Sequence, residues 1–341
     1  MKNPNSSLGV TKGSLENMKR VLITENMHGC AQEILRTRSD IEIVNLEGDI
    51  RPETLMANMA GVHAIAVRSA HLTSDILSHA NDLEIVSRHG VGCDLIDVDY
   101  LSGRGIPVAI ASGANSRSVA EHTLSLMLSL ARELPAQDRM AKGGNWKNRN
   151  SFQLRDMMGA TVLIVGFGRI GKLVAPLCKA FGMDVIAADI APDQAAADAM
   201  GIRLITDFRD ALAEADFVTL HVPLDDNTRH IVSTGEFDAM KDGAILINCA
   251  RGGIVDDDAL LVALDNGKVF AAGVDVLDRE PPAPDHPLLH RDNVLVTPHN
   301  GAASVSSSIA MARMTAENIL AYFDGQLQDE MIFNLEGLSR S

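Results

Sequence analysis

Residues 162–182 read VLIVGFGRIGKLVAPLCKAFG, and this stretch decides the fold. An apolar run that begins at Thr161 stops at Gly166, Gly168 and Gly171, and an amphipathic helical pattern follows. A strand, a glycine turn and a helix in that order make the phosphate-binding corner of a doubly wound α/β sheet. Gly166 permits the tight turn, Gly168 lets backbone N–H groups approach a pyrophosphate, and Gly171 lets the helix pack closely on the strand. With Arg169 and Ile170 between them, these residues open a helix whose N-terminal partial positive charge suits phosphate. The next strand ends at Asp189, where an acid meets the adenosine ribose hydroxyls. A carboxylate there repels a 2′-phosphate, and the following Ile190 and Ala191 bring no arginine to receive one. NAD rather than NADP is the expected cofactor.

Outward from this corner, short apolar runs alternate with helical patterns in two series. One comprises VLIT (21–24), IEIV (41–44), AIAV (64–67), EIV (84–86) and PVAI (107–110); the other comprises TVLIV from Thr161, then runs ending at Asp189, Val222, Asn248, Val276 and Thr297. Such alternation predicts βαβ units, hence two parallel sheets. Between the series a helical pattern covers 118–141, with Ser118 and Glu121 at the spacing of a capping box. It leads into AKGGNWKNRNSF, a Gly- and Asn-rich loop around the single tryptophan, Trp146. A closing helix is expected from Ser304 to Phe323, and the polar residues 1–18 have no periodicity, which predicts a disordered leader.

The composition narrows the function. With 45 acidic against 30 basic residues the formal net charge is −15, and only 4% of residues are aromatic, so neither a polyanion-binding face nor a base-stacking platform is expected. Nucleic acid is thus not an expected partner. The four cysteines, Cys30, Cys93, Cys178 and Cys249, lack metal-ligand spacing, so no metal is expected. No apolar run is long enough for a bilayer and the start lacks a signal-peptide core, which predicts a cytoplasmic protein without a membrane partner.

Three polar residues stand just beyond apolar strands: Arg251 in NCARGG, Glu280 in DREPP and His299 in TPHNGAAS. The carboxyl ends of parallel strands are where a doubly wound sheet binds its ligands. Oxidising a secondary alcohol by hydride transfer needs a base for the hydroxyl proton, a group to hold that base poised, and an anchor for a carboxylate. His299, Glu280 and Arg251 meet these needs in turn. His71, His79, His230, His286 and His290 have no comparable setting.

Taken together, VGFGRIG, HVPL, NCARGGIVD, GVDVLDREPP and TPHNGAAS resemble the D-2-hydroxyacid dehydrogenase family, and in flavour its phosphoglycerate dehydrogenase branch, over roughly residues 20–333. The resemblance implies a Rossmann dinucleotide-binding domain (117–304) inserted into a flavodoxin-like substrate domain (19–116 and 305–335), and a homodimer with the Trp146 loop near its interface. It implies the same catalytic residues, Arg251, Glu280 and His299. It further implies His221 and Pro223 along the adenosine, Cys249 and Asp275 near the nicotinamide, Gly301 among the cofactor-binding residues, and Arg68, Ser69, Val91, Gly92 and Asn115 around a small anionic 2-hydroxy or 2-keto acid. The chain ends soon after the closing helix, so feedback through a C-terminal regulatory domain is not expected. Hydroxypyruvate and glyoxylate reductases share this short architecture and stay open as alternatives, as does an NAD-sensing corepressor. Asn300 departs from the aliphatic residue the family more often places there.

Overall fold

The computed structural model describes residues 18–338, so the leader expected over 1–18 lies, except for Met18, outside the described residues. The chain divides into two compact units. One takes in the described residues up to Asn115 together with those from Val305 onward, and the other is Ser116–Ser304.

In the first unit five strands, β1 (Lys19–Ile23), β2 (Ile41–Asn45), β3 (Ala64–Val67), β4 (Ile85–Arg88) and β5 (Val108–Ile110), form an all-parallel sheet in the order β2-β1-β3-β4-β5. This is the flavodoxin-like order, with its switch point at β1 and β3. Helices cover both faces, which is why β3 is buried along its whole length and reads as a continuous apolar run. The closing helix, Val305–Phe323, packs Ala312, Ala316 and Ile319 against one face of this sheet.

The second unit carries seven parallel strands: β6 (Thr161–Val165), β7 (Asp184–Ala188), β8 (Arg203–Ile205), β9 (Phe217–Leu220), β10 (Ala244–Asn248), β11 (Val269–Val274) and β12 (Val294–Val296). Their order is β12-β11-β10-β9-β6-β7-β8, so the direction of winding reverses between β6 and β9. Two apolar layers, one on each face, bury the sheet. Both sheets are therefore α/β, doubly wound and parallel.

Two expectations need correction. The pattern at 118–141 is two helices, Ser116–Ala131 and Leu134–Lys142. Pro135 lacks the N–H that would continue the first helix, Glu133 turns into the left-handed region at φ 46°, and the orphaned Ala131 carbonyl accepts instead from the Arg155 N–H at 2.8 Å. Nor do Ser118 and Glu121 form a capping box. The helix already starts at Ser116, the Ser118 hydroxyl lies 2.5 Å from that of Ser304, and Glu121 accepts from Arg117 at 2.9 Å. The edge strand β8 escaped the sequence reading because it has three residues and begins on an exposed arginine.

Candidate functional site

The glycine turn follows β6 as its spacing requires. Gly166 has φ +98°, and a Cβ on it would stand 2.6 Å from the His221 carbonyl oxygen; one on Gly171 would stand 2.1 Å from the Gly166 carbonyl oxygen. The protein's own packing thus dictates these two glycines. Gly168 differs, because nothing lies within 4 Å of where its Cβ would be. The space beside Gly168, before the helix Gly171–Ala180, is therefore open, and packing within the protein does not account for that glycine. Arg169 is exposed beside it.

Asp189, just past β7, joins the turn: its carboxylate accepts from the Phe167 N–H at 2.8 Å and from the Ala191 N–H at 2.9 Å. His221 follows β9, with its Nε2 2.9 Å from the Thr219 hydroxyl and its Nδ1 enclosed without a partner. Burial pushes the ring's pKa down to about 4, so it is neutral at neutral pH. Pro223 is exposed two residues on, and Cys249 is buried after β10, with burial pushing its thiol up to about 12. A thiol held protonated in this way is no nucleophile.

Arg251, Glu280 and His299 come from the loops after β10, β11 and β12, three neighbouring strands. Buried Asn248 fixes the first loop by donating to the Arg251 carbonyl at 2.9 Å and accepting from the Ala250 N–H at 3.0 Å. A Cβ at Gly252 would fall 1.9 Å from the Leu277 carbonyl oxygen, so the Arg251 loop presses directly on the loop that bears Glu280. Glu280 Oε1 accepts from the Leu277 N–H at 3.1 Å, and its Oε2 lies 2.6 Å from His299 Nδ1. The hydrogen bond to Glu280 raises the His299 pKa above 6.5, against burial and the nearby positive charge of Arg251. His299 nevertheless remains half-exposed, with a side-chain accessibility of 49%. With Nδ1 held by Glu280, Nε2 is the ring nitrogen left for a reacting proton.

Asp275 does not offer a free carboxylate. It is 3% exposed and accepts from the Thr297 hydroxyl at 2.5 Å and from the backbone N–H groups of Asn300 and Gly301 at 3.0 and 2.8 Å. Burial pushes its carboxyl up, but His122, Thr297 and these N–H groups outweigh burial and leave it below the ordinary value. Asn300 contributes its backbone to this arrangement, and its side chain lines an open cavity of about 430 Å³ together with His122, Thr297 and Gly301.

The first unit holds the other expected residues. Arg68 and Ser69 follow β3, and both are exposed. Beneath them is Glu25, 6% exposed, which accepts from the Arg68 N–H at 2.9 Å, the Ser69 hydroxyl at 2.6 Å and the Ser69 N–H. Ser69 therefore points its donors inward, and the Arg68 guanidinium is the outward charge of that loop. Val91 and Gly92 lie after β4, where Arg88 donates to the Gly92 carbonyl at 2.8 Å and to that of His89. A Cβ on Gly90, at φ +143°, would meet the same guanidinium at 2.8 Å. Asn115 is the last residue before the second unit. Sequence reasoning missed Glu25, Arg88, Asn248 and His122; for His122 alone a signal existed, since Ser118, His122 and Ser125 make a polar stripe at helical spacing.

Among the described residues there is no group of His, Cys, Asp and Glu side chains that could hold a metal, and no helix long and apolar enough to cross a membrane. Residues 124–301 match the family described as D-isomer specific 2-hydroxyacid dehydrogenase, NAD binding domain. The chain is 39% identical over 316 residues to D-3-phosphoglycerate dehydrogenase of Methanocaldococcus jannaschii, covering 92% of this chain and 59% of that protein. It is 37% identical to hydroxypyruvate reductase of Thermotoga maritima, covering 84% of this chain and 93% of the relative. Among solved structures, D-lactate dehydrogenase from Aquifex aeolicus, complexed with NAD and lactic acid, superposes with a TM-score of 0.80 at 28% identity over 92% of this chain and 99% of that one. The chain spans a little over half the length of the archaeal phosphoglycerate dehydrogenases it matches, 59% and 56%. It belongs to the D-isomer specific 2-hydroxyacid dehydrogenase family, with that family's NAD binding domain over residues 124–301.

Proposed function

We propose that the chain interconverts a small D-2-hydroxy acid and its 2-keto acid with NAD, and that 3-phosphoglycerate or a closely similar phosphorylated acid is the substrate. The observation that carries the reaction is the His299–Glu280 pair at 2.6 Å on strand ends neighbouring the Arg251 loop. NAD supplies a hydride acceptor at its nicotinamide when bound. The cradle at Gly168 and the helix Gly171–Ala180 would hold the pyrophosphate, and Asp189 the ribose hydroxyls. In oxidation His299 Nε2 takes the hydroxyl proton while Glu280 stabilises the imidazolium; in reduction the same nitrogen returns it. Arg251 holds the substrate carboxylate through its planar fork. Asn115 and the backbone of Val91 and Gly92 are proposed for the substrate side, and His221, Pro223, Cys249 and Gly301 for the cofactor side.

Arg68 favours a phosphorylated substrate, because it is the outward cation of its loop. The runner-up is a hydroxypyruvate or glyoxylate reductase, supported by the likeness to the Thermotoga maritima enzyme. We further propose a cytoplasmic homodimer; Trp146, Leu154 and Met158, exposed by 63%, 41% and 81%, are apolar surface suited to a second copy. A panel of 3-phosphoglycerate, hydroxypyruvate and glyoxylate, assayed with both nicotinamide cofactors, tests the assignment. Arg68→Ala should raise KM for the phosphorylated acid far more than for glyoxylate. Equal effects would remove phosphate recognition, and no turnover of any member would remove the enzymatic reading.

A further inference from the structure

His122 lies on the helix Ser116–Ala131, in the same unit as β11 and β12 but far from the reacting residues in sequence. Its Nε2 is 3.0 Å from the Thr297 hydroxyl oxygen and 3.5 Å from Asp275 Oδ1. The Thr297 hydroxyl hydrogen is committed to Asp275 Oδ1 at 2.5 Å. The Thr297 oxygen therefore accepts at its other side, and the donor facing it is the His122 Nε2–H. This fixes a directed chain of hydrogen bonds, from imidazole to hydroxyl to carboxylate, and with it the tautomer of His122.

The backbone of His299 is tied to the same two residues through their main-chain carbonyls. The Asp275 carbonyl accepts the His299 N–H at 2.8 Å, and the Thr297 carbonyl is 3.0 Å from the same N–H. His299 itself sits at φ +50°, a left-handed conformation that a non-glycine residue keeps only when its surroundings over-determine it. Gly301 is locked from the same side, since a Cβ there would be 2.9 Å from Asp275 Oδ2 and 3.1 Å from His122 Cδ2. The side-chain restraints on Thr297, Asn300 and Gly301 thus converge on the Asp275 carboxylate, which Thr297 and His122 hold in place.

We propose that His122 is a positioning residue, acting through Thr297 and Asp275 to hold the 297–301 loop so that His299 Nε2 is presented to substrate. This rests on the reading of His299 as the proton-carrying group. Misplacing a reacting group by about 1 Å costs on the order of 10²-fold in rate, so a loop that loses one restraint should lose a measurable part of that.

The test is steady-state reduction of the preferred 2-keto acid with NADH by the full chain and its variants His122→Leu, His122→Gln, Thr297→Val, Thr297→Ser and His299→Ala. Gln brings an amide N–H close to the position of the imidazole Nε2–H, whereas Leu brings none. The expected result is that His122→Leu and Thr297→Val lower kcat about tenfold, while His122→Gln and Thr297→Ser recover most of the rate. Should His122→Leu fail to fold, the threonine pair carries the same test. Unchanged kcat in His122→Leu or Thr297→Val, or equal losses in each variant and its conservative counterpart, would overturn the positioning role. Those outcomes leave His299 untouched if His299→Ala is inactive; a His299→Ala that turns over normally would instead remove the reading on which the inference rests.

Discussion

Two loops of this molecule, 297–301 after β12 and 68–69 after β3, are both built over a buried carboxylate. Asp275 lies beneath the first and Glu25 beneath the second, and each accepts backbone N–H groups and a neighbouring hydroxyl from its loop. Both acids end up below their ordinary pKa although burial alone would push them up, because the donors they gather outweigh it. The loops differ in what they leave facing outward. Over Asp275 that residue is a histidine already paired with Glu280, whereas over Glu25 it is an arginine whose neighbouring serine has turned inward. The comparison separates two outcomes of one kind of scaffold: an internal acid orders each loop, and the residue left outside is a paired imidazole in one and a guanidinium in the other, which suits the roles proposed above for a proton carrier and an anion holder.

The comparison breaks most decisively at the outward histidine. His299→Ala should depress kcat by on the order of 10² or more, the range for a general acid or base, with nucleotide affinity retained because the glycine turn is unaltered. Stopped-flow NADH binding alongside turnover would check both halves of that statement. A smaller effect is expected beneath the other loop. Glu25→Gln should cost about 2 kcal/mol in denaturant unfolding at pH 7, since it takes the charge from an acceptor serving several buried donors. The Glu25 carboxyl is depressed in the fold, so its contribution is present above the ordinary value of 4.5 and is lost as pH falls through its folded value. Wild type and Glu25→Gln should therefore converge in acid, and a constant gap at every pH would show that Glu25 matters by shape and not by charge.

Much of this was legible in the sequence for a physical reason. Parallel strands buried on both faces read as continuous apolar runs, so every described strand but β8 announced itself around the glycine turn, and polar residues directly after such runs stood out against them. Arg251, Glu280 and His299 were singled out that way. The supports were not, because their partners are distant along the chain: Ser69 meets Glu25 44 residues away, and His122 meets Thr297 175 residues away. The break at Glu133 was hidden for a different reason, since the apolar periodicity runs straight through a turn that Pro135 forces. Asp275 was noticed only through resemblance, as a residue near the nicotinamide, and no local pattern announced that its oxygens accept from the loop that carries His299.

In the proposed reaction His299 moves the proton and Glu280 sets the pH range in which it can. The most direct measurement is the pH dependence of kcat/KM for 2-keto acid reduction by wild type and by Glu280→Gln. Reduction needs the imidazolium, which Glu280 preserves to a higher pH than the ordinary histidine value of 6.5, so activity should fall as pH rises through that elevated pKa. In Glu280→Gln the falling limb should move to lower pH. Limbs that superimpose in the two proteins would contradict the account.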